Sequence, residues 1–319
     1  MKFELLIENK GKIYKPIITN GVTWQTERKG VPGQLNFSVI KDGTIDFTEG
    51  NPVRLKIDDQ NVFFGFVFTK KRTKTGIIDV VAYDQLRYLK NKDTYVFTSR
   101  TASEFIRMLA SDFQLQVGAL EDTGFIIPSL VAENKTLFDM IQDTLDMTLQ
   151  NRKEMFVMYD DFGRITLKNI SSMVVNLLID EETGENFNYS SSIDEQTYNR
   201  IKLTFDNEGS GKRDVFIAQH SANINAWGVL QFFDTLQAGE NGKAKADALL
   251  QMYNQKTRTL SIEKAFGDVR VRAGSMLAVK LNLGDMRANS LMLVEKCRHM
   301  FNESEHFMNL TLRGGEFIA

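Results

Sequence analysis

Residues 62–97 constrain the fold of this chain more than any other stretch. They read VFFGFVFTKKRTKTGIIDVVAYDQLRYLKNKDTYVF, in which a charged connection separates two runs of aromatic and β-branched residues. Such runs are typical of strands, and the first carries apolar side chains on both faces, so both faces are expected to be partly buried. Gly65 predicts a bulge or a close backbone approach. Tyr83, Leu86 and Leu89 follow at intervals of three, which predicts a helical turn packed on the sheet.

The strand pattern extends over the whole first section of the chain. Residues 3–7 and 35–40 contain apolar residues in the alternating or continuous patterns typical of strands. Gly-containing turn pairs such as Asn20-Gly21 and Asp42-Gly43 separate these segments. Turns at these intervals are typical of a small barrel or sandwich. We predict a β-barrel-like domain over residues 1–94.

From Ser99 the spacing of apolar residues changes from about two to about 3.6 residues, which is typical of helices. We predict an α+β module over residues 95–172. Thr101 and Glu104 have the spacing of a capping box, so a helix is expected to start there. Thr136 can cap a second helix. Residues 156–159 and 165–167 then read as a hairpin joined by an Asp-Asp-Phe-Gly turn.

Residues 173–319 are predicted to form a second β-rich domain with one helix. Residues 180–192 are polar and read as a linker. Apolar and polar residues alternate over residues 200–205, which predicts a half-buried strand. Apolar residues recur at helical spacing over residues 246–253, which predicts a helix. Four further strands are expected after that helix, at residues 259–263, 276–281, 291–299 and 306–313. The expected fold class is therefore mixed β-rich α+β, with two barrel-like domains and an intervening α+β module.

Composition narrows the possible partners. Hydrophobic residues make up 42% and charged residues 25% of the 319 residues, as in folded globular proteins. Lys and Arg (39) nearly balance Asp and Glu (41), so no global field favours nucleic acid. Cys297 is the single cysteine and excludes an internal disulfide, which fits a reducing cytoplasm. Glu4 and Glu8 argue against a signal peptide, and no run approaches the roughly 18 apolar residues that span a bilayer.

Three patterns in the sequence have some features of a functional site, but none predicts a catalytic, cofactor-binding or metal-binding residue. DNEGSGKR at residues 206–213 lacks the first glycine and the Ser or Thr of a phosphate loop, so a hairpin loop is expected. Cys297, His299 and His306 could supply zinc ligands, but their spacing matches no usual pattern and they are interpreted as ordinary strand residues. Acid pairs such as Asp58-Asp59 and Asp160-Asp161 fit turns better than a glycosidase pair.

An aromatic segment gives the candidate interface of the chain. Trp227, Phe232 and Phe233 could contact another chain, or they could be buried in a strand, because aromatic side chains serve both cores and interfaces.

Two strings within the opening stretch, GFVFTK and AYDQLRYLKNKDTYVF, resemble the XkdQ-like baseplate hub proteins of prophage tails, contractile phage tails and R-type bacteriocins. INAWG at residues 224–228 and GDVRVRAG at residues 267–274 extend the resemblance. It implies two domains similar to the tail-tube subunit. It also implies a homotrimer that contacts the tail tube protein, the central spike protein and other baseplate proteins.

The resemblance implies a non-enzymatic hub that joins the tail tube to the spike, assembles in the cytoplasm and leaves the cell in particles after lysis. A tail-associated cell-wall hydrolase or glycan-binding module is the alternative. A type VI secretion hub shares the architecture, and the lack of a long carboxy-terminal spike counts against it.

Overall fold

A computed structural model describes residues 1–194, 196–207, 211–236, 240–282, 287–302 and 305–314. The chain forms two compact units. The larger unit combines Met1–Asn188 with the described part of Leu260–Ile318, and the smaller unit contains Tyr189–Thr259. Antiparallel strands dominate, which confirms the β-rich prediction.

The strands, in chain order, are β1 Phe3–Asn9, β2 Lys12–Tyr14, β3 Ile18–Glu27, β4 Gln34–Ile40, β5 Pro52–Ile57, β6 Gln60–Arg72, β7 Ile77–Tyr83, β8 Lys92–Arg100, β9 Val117–Leu120, β10 Ile127–Thr136, β11 Phe156–Asp160, β12 Ile165–Asn169, β13 Val174–Ile179, β14 Asn186–Ser192, β15 Arg200–Asn207, β16 Lys212–Gln219, β17 Gln231–Thr235, β18 Thr257–Phe266, β19 Met276–Asn282, β20 Arg287–Asn302 and β21 Glu305–Gly314. The α-helices are α1 Ala102–Asp112, α2 Leu137–Arg152, α3 Ser221–Trp227 and α4 Gly242–Tyr253. Short 3₁₀ helices cover Gln85–Lys90 and Ile170–Ser172.

The largest sheet joins distant parts of the chain. Its order is β14-β18-β21-β20-β3-β4-β7-β6-β5-β1-β2, and β19 and β13 extend it from β20. The pairing of β20 with β3 places the strands near the carboxy terminus in the same sheet as the amino-terminal strands. Leu5, Leu35 and Phe301 belong to one buried cluster on this sheet.

The two predicted barrel-like domains are not confirmed, because hydrogen bonding does not close this sheet into a barrel. Among the described residues, the main path of the sheet ends at β14 and β2, and its branch ends at β13. Pro16, which has no backbone N–H, lies between β2 and β3 and cannot donate to a continuous ladder there. The boundaries predicted at residues 94/95 and 172/173 stay a prediction, and β14 lies within residues 180–192.

The opening stretch folds as its pattern predicts. β6 and β7 pair in antiparallel register, and the 3₁₀ helix after them buries Leu86 and Leu89. A Cβ atom at Gly65 would collide with the carbonyl oxygen of Tyr83 and the ring of Phe63. The predicted close backbone approach is therefore confirmed, and glycine is needed there for space.

Helices α1 and α2 and the hairpin β11–β12 form a second buried cluster in the larger unit, which includes Phe105, Met140 and Ile165. The Thr101 side chain accepts a hydrogen bond from the Glu104 N–H, and the Glu104 carboxylate accepts one from the Thr101 N–H. This reciprocal pair confirms the predicted capping box.

Replacing Thr101 by alanine is expected to lower the free energy of unfolding by about 1 kcal/mol, because the first turn of α1 loses its acceptor. Thr101→Ser keeps the hydroxyl and is expected to retain most of the stability. Urea unfolding followed by circular dichroism compares the two variants. Equal losses in both would show that the hydroxyl does not stabilise the helix.

The smaller unit is a three-stranded sheet, β16-β15-β17, covered on one face by α4. β16 is antiparallel and β17 parallel to the central strand β15. Ile201, Leu203 and Ala218 pack with Ala246 and Leu249 of α4 in a core of their own. The predicted helix at residues 246–253 is confirmed. The predicted alternation of β15 holds for Ile201, Lys202 and Leu203 but not for Thr204, which is also buried.

Candidate functional site

The aromatic segment of the candidate interface does not form one surface. Phe232 lies on the core side of β17, where its ring centroid is 5.4 Å from that of Tyr198 and 5.7 Å from that of Tyr253. Phe233 points to the other face of the sheet and is 56% exposed. Trp227 is the last residue of helix α3 and therefore does not lie in a buried strand. Its side chain is half-buried. Only Phe233 of the three is largely accessible to a partner.

Phe233 belongs to a face of the small sheet that α4 does not cover. Lys202 on β15 pairs with Ile217 on β16 and with Phe233 on β17, so these three residues form one row across the sheet. Val215 stands in the next row, opposite Thr204. We call Val215, Ile217, Lys202 and Phe233 the open face. Its apolar members are about half exposed and are grouped on one face, and grouped exposed apolar side chains can mark an interaction site.

The strands on either side of the candidate phosphate loop, β15 and β16, pair in antiparallel register. Residues 208–210 lie outside the described residues. The Arg213 guanidinium binds the Asp206 carboxylate, with Nε 2.6 Å from Oδ1 and Nη2 3.0 Å from Oδ2. An arginine held by a carboxylate across two strands stabilises a hairpin.

The candidate metal ligands Cys297, His299 and His306 do come together, in the larger unit. His299 Nε2 lies 2.8 Å from the Val271 carbonyl oxygen and 3.1 Å from Cys297 Sγ, whereas His299 Nδ1 lies 2.8 Å from His306 Nε2. Cys297 and His306 therefore face opposite nitrogens of the His299 ring, and the three donors do not point at one position. In the parts of the chain that the structure describes, no group of three or more His, Cys, Asp or Glu residues could hold a metal ion.

These contacts define a chain of hydrogen bonds. Because His299 Nε2–H donates to the Val271 carbonyl, Nδ1 carries no hydrogen in the neutral ring and accepts a hydrogen bond from the His306 Nε2–H. His299 is fully buried and stacks on Trp24 at 4.7 Å between ring centroids. Burial, followed by the neighbouring His306, lowers the pKa of His299 to about 3, and burial lowers the pKa of His306 to about 4.

Residues 267–275, which we call the strap, connect this histidine pair to the rest of the larger unit without regular secondary structure. The Gly267 N–H donates to the His306 carbonyl at 2.8 Å, and the Gly274 N–H donates to the Val294 carbonyl at 2.8 Å. The Ala273 N–H donates to Thr26 Oγ1 at 2.9 Å. The strap thus binds β21, β20 and β3, and it contains the GDVRVRAG string of residues 267–274.

Arg272 of the strap reaches the β11–β12 hairpin of the α+β region. Its Nη2 donates to the Asp160 carbonyl at 2.8 Å, and its guanidinium lies 4.1 Å from the Tyr159 ring centroid. The ring centroid of Trp24 lies 5.6 Å from the same guanidinium group. One side chain therefore joins the strap, the hairpin and β3.

Two buried carboxyl groups, those of Asp84 and Asp160, lie in the same region. Their proximity was not predictable, because the two residues are far apart along the chain. Asp84 caps the 3₁₀ helix, with Oδ1 accepting from the Leu86 N–H at 3.0 Å and Oδ2 from the Gly33 N–H at 2.8 Å. Asp160 Oδ1 accepts from the Gly163 N–H at 2.6 Å. Burial raises the pKa of Asp160 to about 6, and burial, followed by the charge of Asp160, raises that of Asp84.

Such shifts also occur at catalytic acids, but the positions of these groups point to a structural role. Both residues are only 5% exposed, and both bind backbone N–H groups of turns. The turn interpretation of Asp160 is confirmed by its bond to Gly163. A buried pair of this kind cannot flank a polysaccharide chain, as a glycosidase requires.

Residues 22–313 match the model of a known protein family, described as YQBQ-like. The chain belongs to the YQBQ-like family. It is 29% identical over 310 residues to the uncharacterised protein YqbQ of Bacillus subtilis (strain 168), covering 92% of this chain and 91% of YqbQ. It is 28% identical over 306 residues to the phage-like element PBSX protein XkdQ of the same organism, with 92% of each chain covered. The resemblance to XkdQ-like proteins is thus confirmed.

The fold of this YQBQ-like chain is shared with a solved tail protein. The crystal structure of the 43 kDa tail protein of prophage MuSo2 from Shewanella oneidensis gives a TM-score of 0.69. The superposition covers 97% of this chain and 98% of the tail protein at 12% sequence identity. No helix in the described part of the chain is long and apolar enough to cross a membrane.

Proposed function

We propose that this YQBQ-like protein is a structural, non-enzymatic hub in the baseplate of a contractile tail or an R-type bacteriocin, where it joins the tail tube to the central spike. The observation that carries the proposal is the match, over 92% of both chains, to a protein of the phage-like element PBSX. The shared fold of a prophage tail protein supports it.

Exposed apolar side chains on strands support a function based on assembly. Val96 on β8 and Val131 on β10 are direct cross-strand partners and are 65% and 64% exposed. Val174 and Leu178 are exposed on β13, which pairs on one side with β19. Apolar pairs and strand edges of this kind suit contacts with neighbouring chains.

In the proposed particle the chain is a homotrimer in contact with the tail tube protein, the central spike protein and other baseplate proteins. Binding energy comes from buried apolar area and from strand pairing between chains. Phe233 is the member of the predicted aromatic interface that is placed to take part. We further propose that the hub assembles in the cytoplasm and leaves the cell within particles upon lysis.

The proposal predicts about three copies of this chain per particle, because a hub with the symmetry of a trimeric spike contributes one trimer. Particles sedimented from a lysed, induced producer strain are digested and quantified by mass spectrometry against the tube and spike proteins. A soluble chain that is absent from particles would overturn the proposal. Loss of turbidity of a cell-wall suspension, abolished by one carboxylate substitution, would favour the hydrolase alternative instead.

A further inference from the structure

The open face of the small sheet has a composition that restricts what can bind it. Ile217 and Phe233 are 57% and 56% exposed, and Lys202 stands between them in the same row. Neighbouring strands are about 4.8 Å apart, so a surface that covers both apolar side chains also covers the lysine. Lys202 forms no ion pair with any residue that the structure describes.

Covering this row therefore has an electrostatic cost. A charged ammonium group that loses its water without gaining a partner destabilises a complex. The apolar side chains on both sides of Lys202 contribute favourably only if the partner also supplies a negative charge at that position. An entirely apolar partner is thus disfavoured.

The same argument disfavours a second copy bound face to face. A two-fold arrangement of two open faces about their centres would bring Lys202 of one copy close to Lys202 of the other. Like charges in a desolvated contact repel, so the occupant is a different surface.

We propose that the open face is the docking site for another protein of the tail, whose contact surface is apolar and carries an aspartate or glutamate opposite Lys202. This inference rests on the proposed function, since it places the partner in the same particle. Beyond the hub function, it specifies which face binds the partner, what chemistry the partner's surface has, and that Lys202 selects it.

The test introduces Lys202→Glu, Lys202→Met and Phe233→Ser into the producer strain, with Lys243→Glu as the matched control. Lys243 is an exposed lysine of α4, on the other side of the small unit's sheet, so its variant carries the same change in charge. We expect Lys202→Glu and Phe233→Ser to reduce the amount of chain per particle at least tenfold and Lys202→Met to reduce it less. Lys243→Glu should match the wild type. Circular dichroism of each purified variant shows whether it is folded.

A photoreactive amino acid at position 217 identifies what covers the face in wild-type particles. A cross-link to another tail protein, at a site with an acidic residue among apolar ones, would support the proposal. A cross-link to a second copy, or normal incorporation of folded Lys202→Glu, would overturn it while leaving the hub function intact. Absence of the wild-type chain from particles would instead overturn the hub function and the docking site with it.

Discussion

Replacing Arg272 by methionine is expected to lower the free energy of unfolding of the larger unit by about 3 kcal/mol. Methionine keeps much of the volume of the side chain but removes the donor to the Asp160 carbonyl and the cation over the Tyr159 ring. A charged hydrogen bond contributes roughly 1.5–3 kcal/mol and a desolvated cation–π contact up to about 2 kcal/mol. The Arg272 side chain is only 16% exposed, so water replaces these contacts poorly.

A second effect acts in the same direction. Arg272 is the cation that lowers the pKa values of Asp84 and Asp160 against the larger effect of burial. Without it, both carboxyl groups should bind protons more readily, and any carboxylate that stays ionised in the interior becomes more costly. The loss of stability in Arg272→Met should therefore be larger at pH 8 than at pH 5.

Arg270→Met is the matched control for this prediction. Arg270 lies in the same strap, is exposed, and binds Asp268, with Nη2 2.6 Å from Oδ2. Exposed ion pairs contribute little, so this variant should unfold close to the wild type. Urea unfolding of both variants at the two pH values gives the comparison. Equal stability of Arg272→Met and Arg270→Met would show that Arg272 does not join the strap to the hairpin.

The elements that were predictable from sequence depend on neighbours along the chain. The capping box of Thr101 and Glu104 spans four residues, and the β11–β12 hairpin closes through a turn whose residues favour that geometry. The strands after residue 257 are likewise marked by their own composition. Local physical chemistry determines these elements, so their type and approximate position can be read from the sequence.

The arrangement of the sheet could not be read in this way. β20 pairs with β3, and the Arg28 guanidinium binds the Glu295 carboxylate, 267 residues away, with Nε 2.8 Å from Oε2. Alternation shows that a strand has one buried face but not which strand lies beside it. For the same reason the sequence predicts Asp160 only as a turn residue and does not show that Asp84 lies near it.

The candidate site was predictable only in part. The sequence identified Phe233 but grouped it with Phe232, whose place on the opposite face follows from the period of two along β17. Ile217 and Lys202 escaped notice because they join Phe233 only through cross-strand pairing. Cys297, His299 and His306 were considered together only as possible zinc ligands and interpreted as ordinary strand residues, so the hydrogen bonds through opposite nitrogens of the His299 ring required the side-chain geometry.

Lowering the pH below about 6.5 is expected to destabilise the larger unit through His299. Its pKa in the folded chain is about 3, against about 6.5 for an unfolded histidine. Below pH 6.5 the unfolded chain therefore takes up a proton that the folded chain does not. The stabilisation is complete above pH 6.5 and is lost progressively as the pH falls towards 3. At pH 4.5 the loss is about 2–3 kcal/mol, from about 1.4 kcal/mol per pH unit.

The hydrogen-bond chain explains why the folded state resists this proton. His299 already uses its Nε2–H for the Val271 carbonyl, so a proton on Nδ1 would face the N–H of His306. The ring is also enclosed between Trp24 and Phe301, with centroids 4.7 and 5.8 Å away. His306 has the same sign of effect but is partly exposed, so its contribution is smaller.

Protonation of Asp160 changes the stability in the opposite direction, so its effect must be separated from that of the histidines. Its raised pKa of about 6 means that the folded chain holds a proton more tightly than the unfolded chain. That contribution is present at low pH and is lost as the pH rises through 6, so it partly cancels the histidine effect between pH 4 and 6. Asp160→Asn removes it, and the fall in stability between pH 7 and pH 4.5 should be steeper in that background.

Fluorescence of Trp24, which stacks on His299, reports unfolding of the larger unit. The chain has two tryptophans, so Trp227→Phe makes Trp24 the single one. Urea unfolding followed by Trp24 fluorescence at pH 7.5, 6 and 4.5 compares Asp160→Asn with Asp160→Asn/His299→Gln. We expect the second variant to be less stable at pH 7.5 but less dependent on pH. If it does not fold, His306→Gln replaces it and should flatten the profile by a smaller amount. An unchanged slope in both variants would show that the acid sensitivity of the larger unit arises outside the histidine pair.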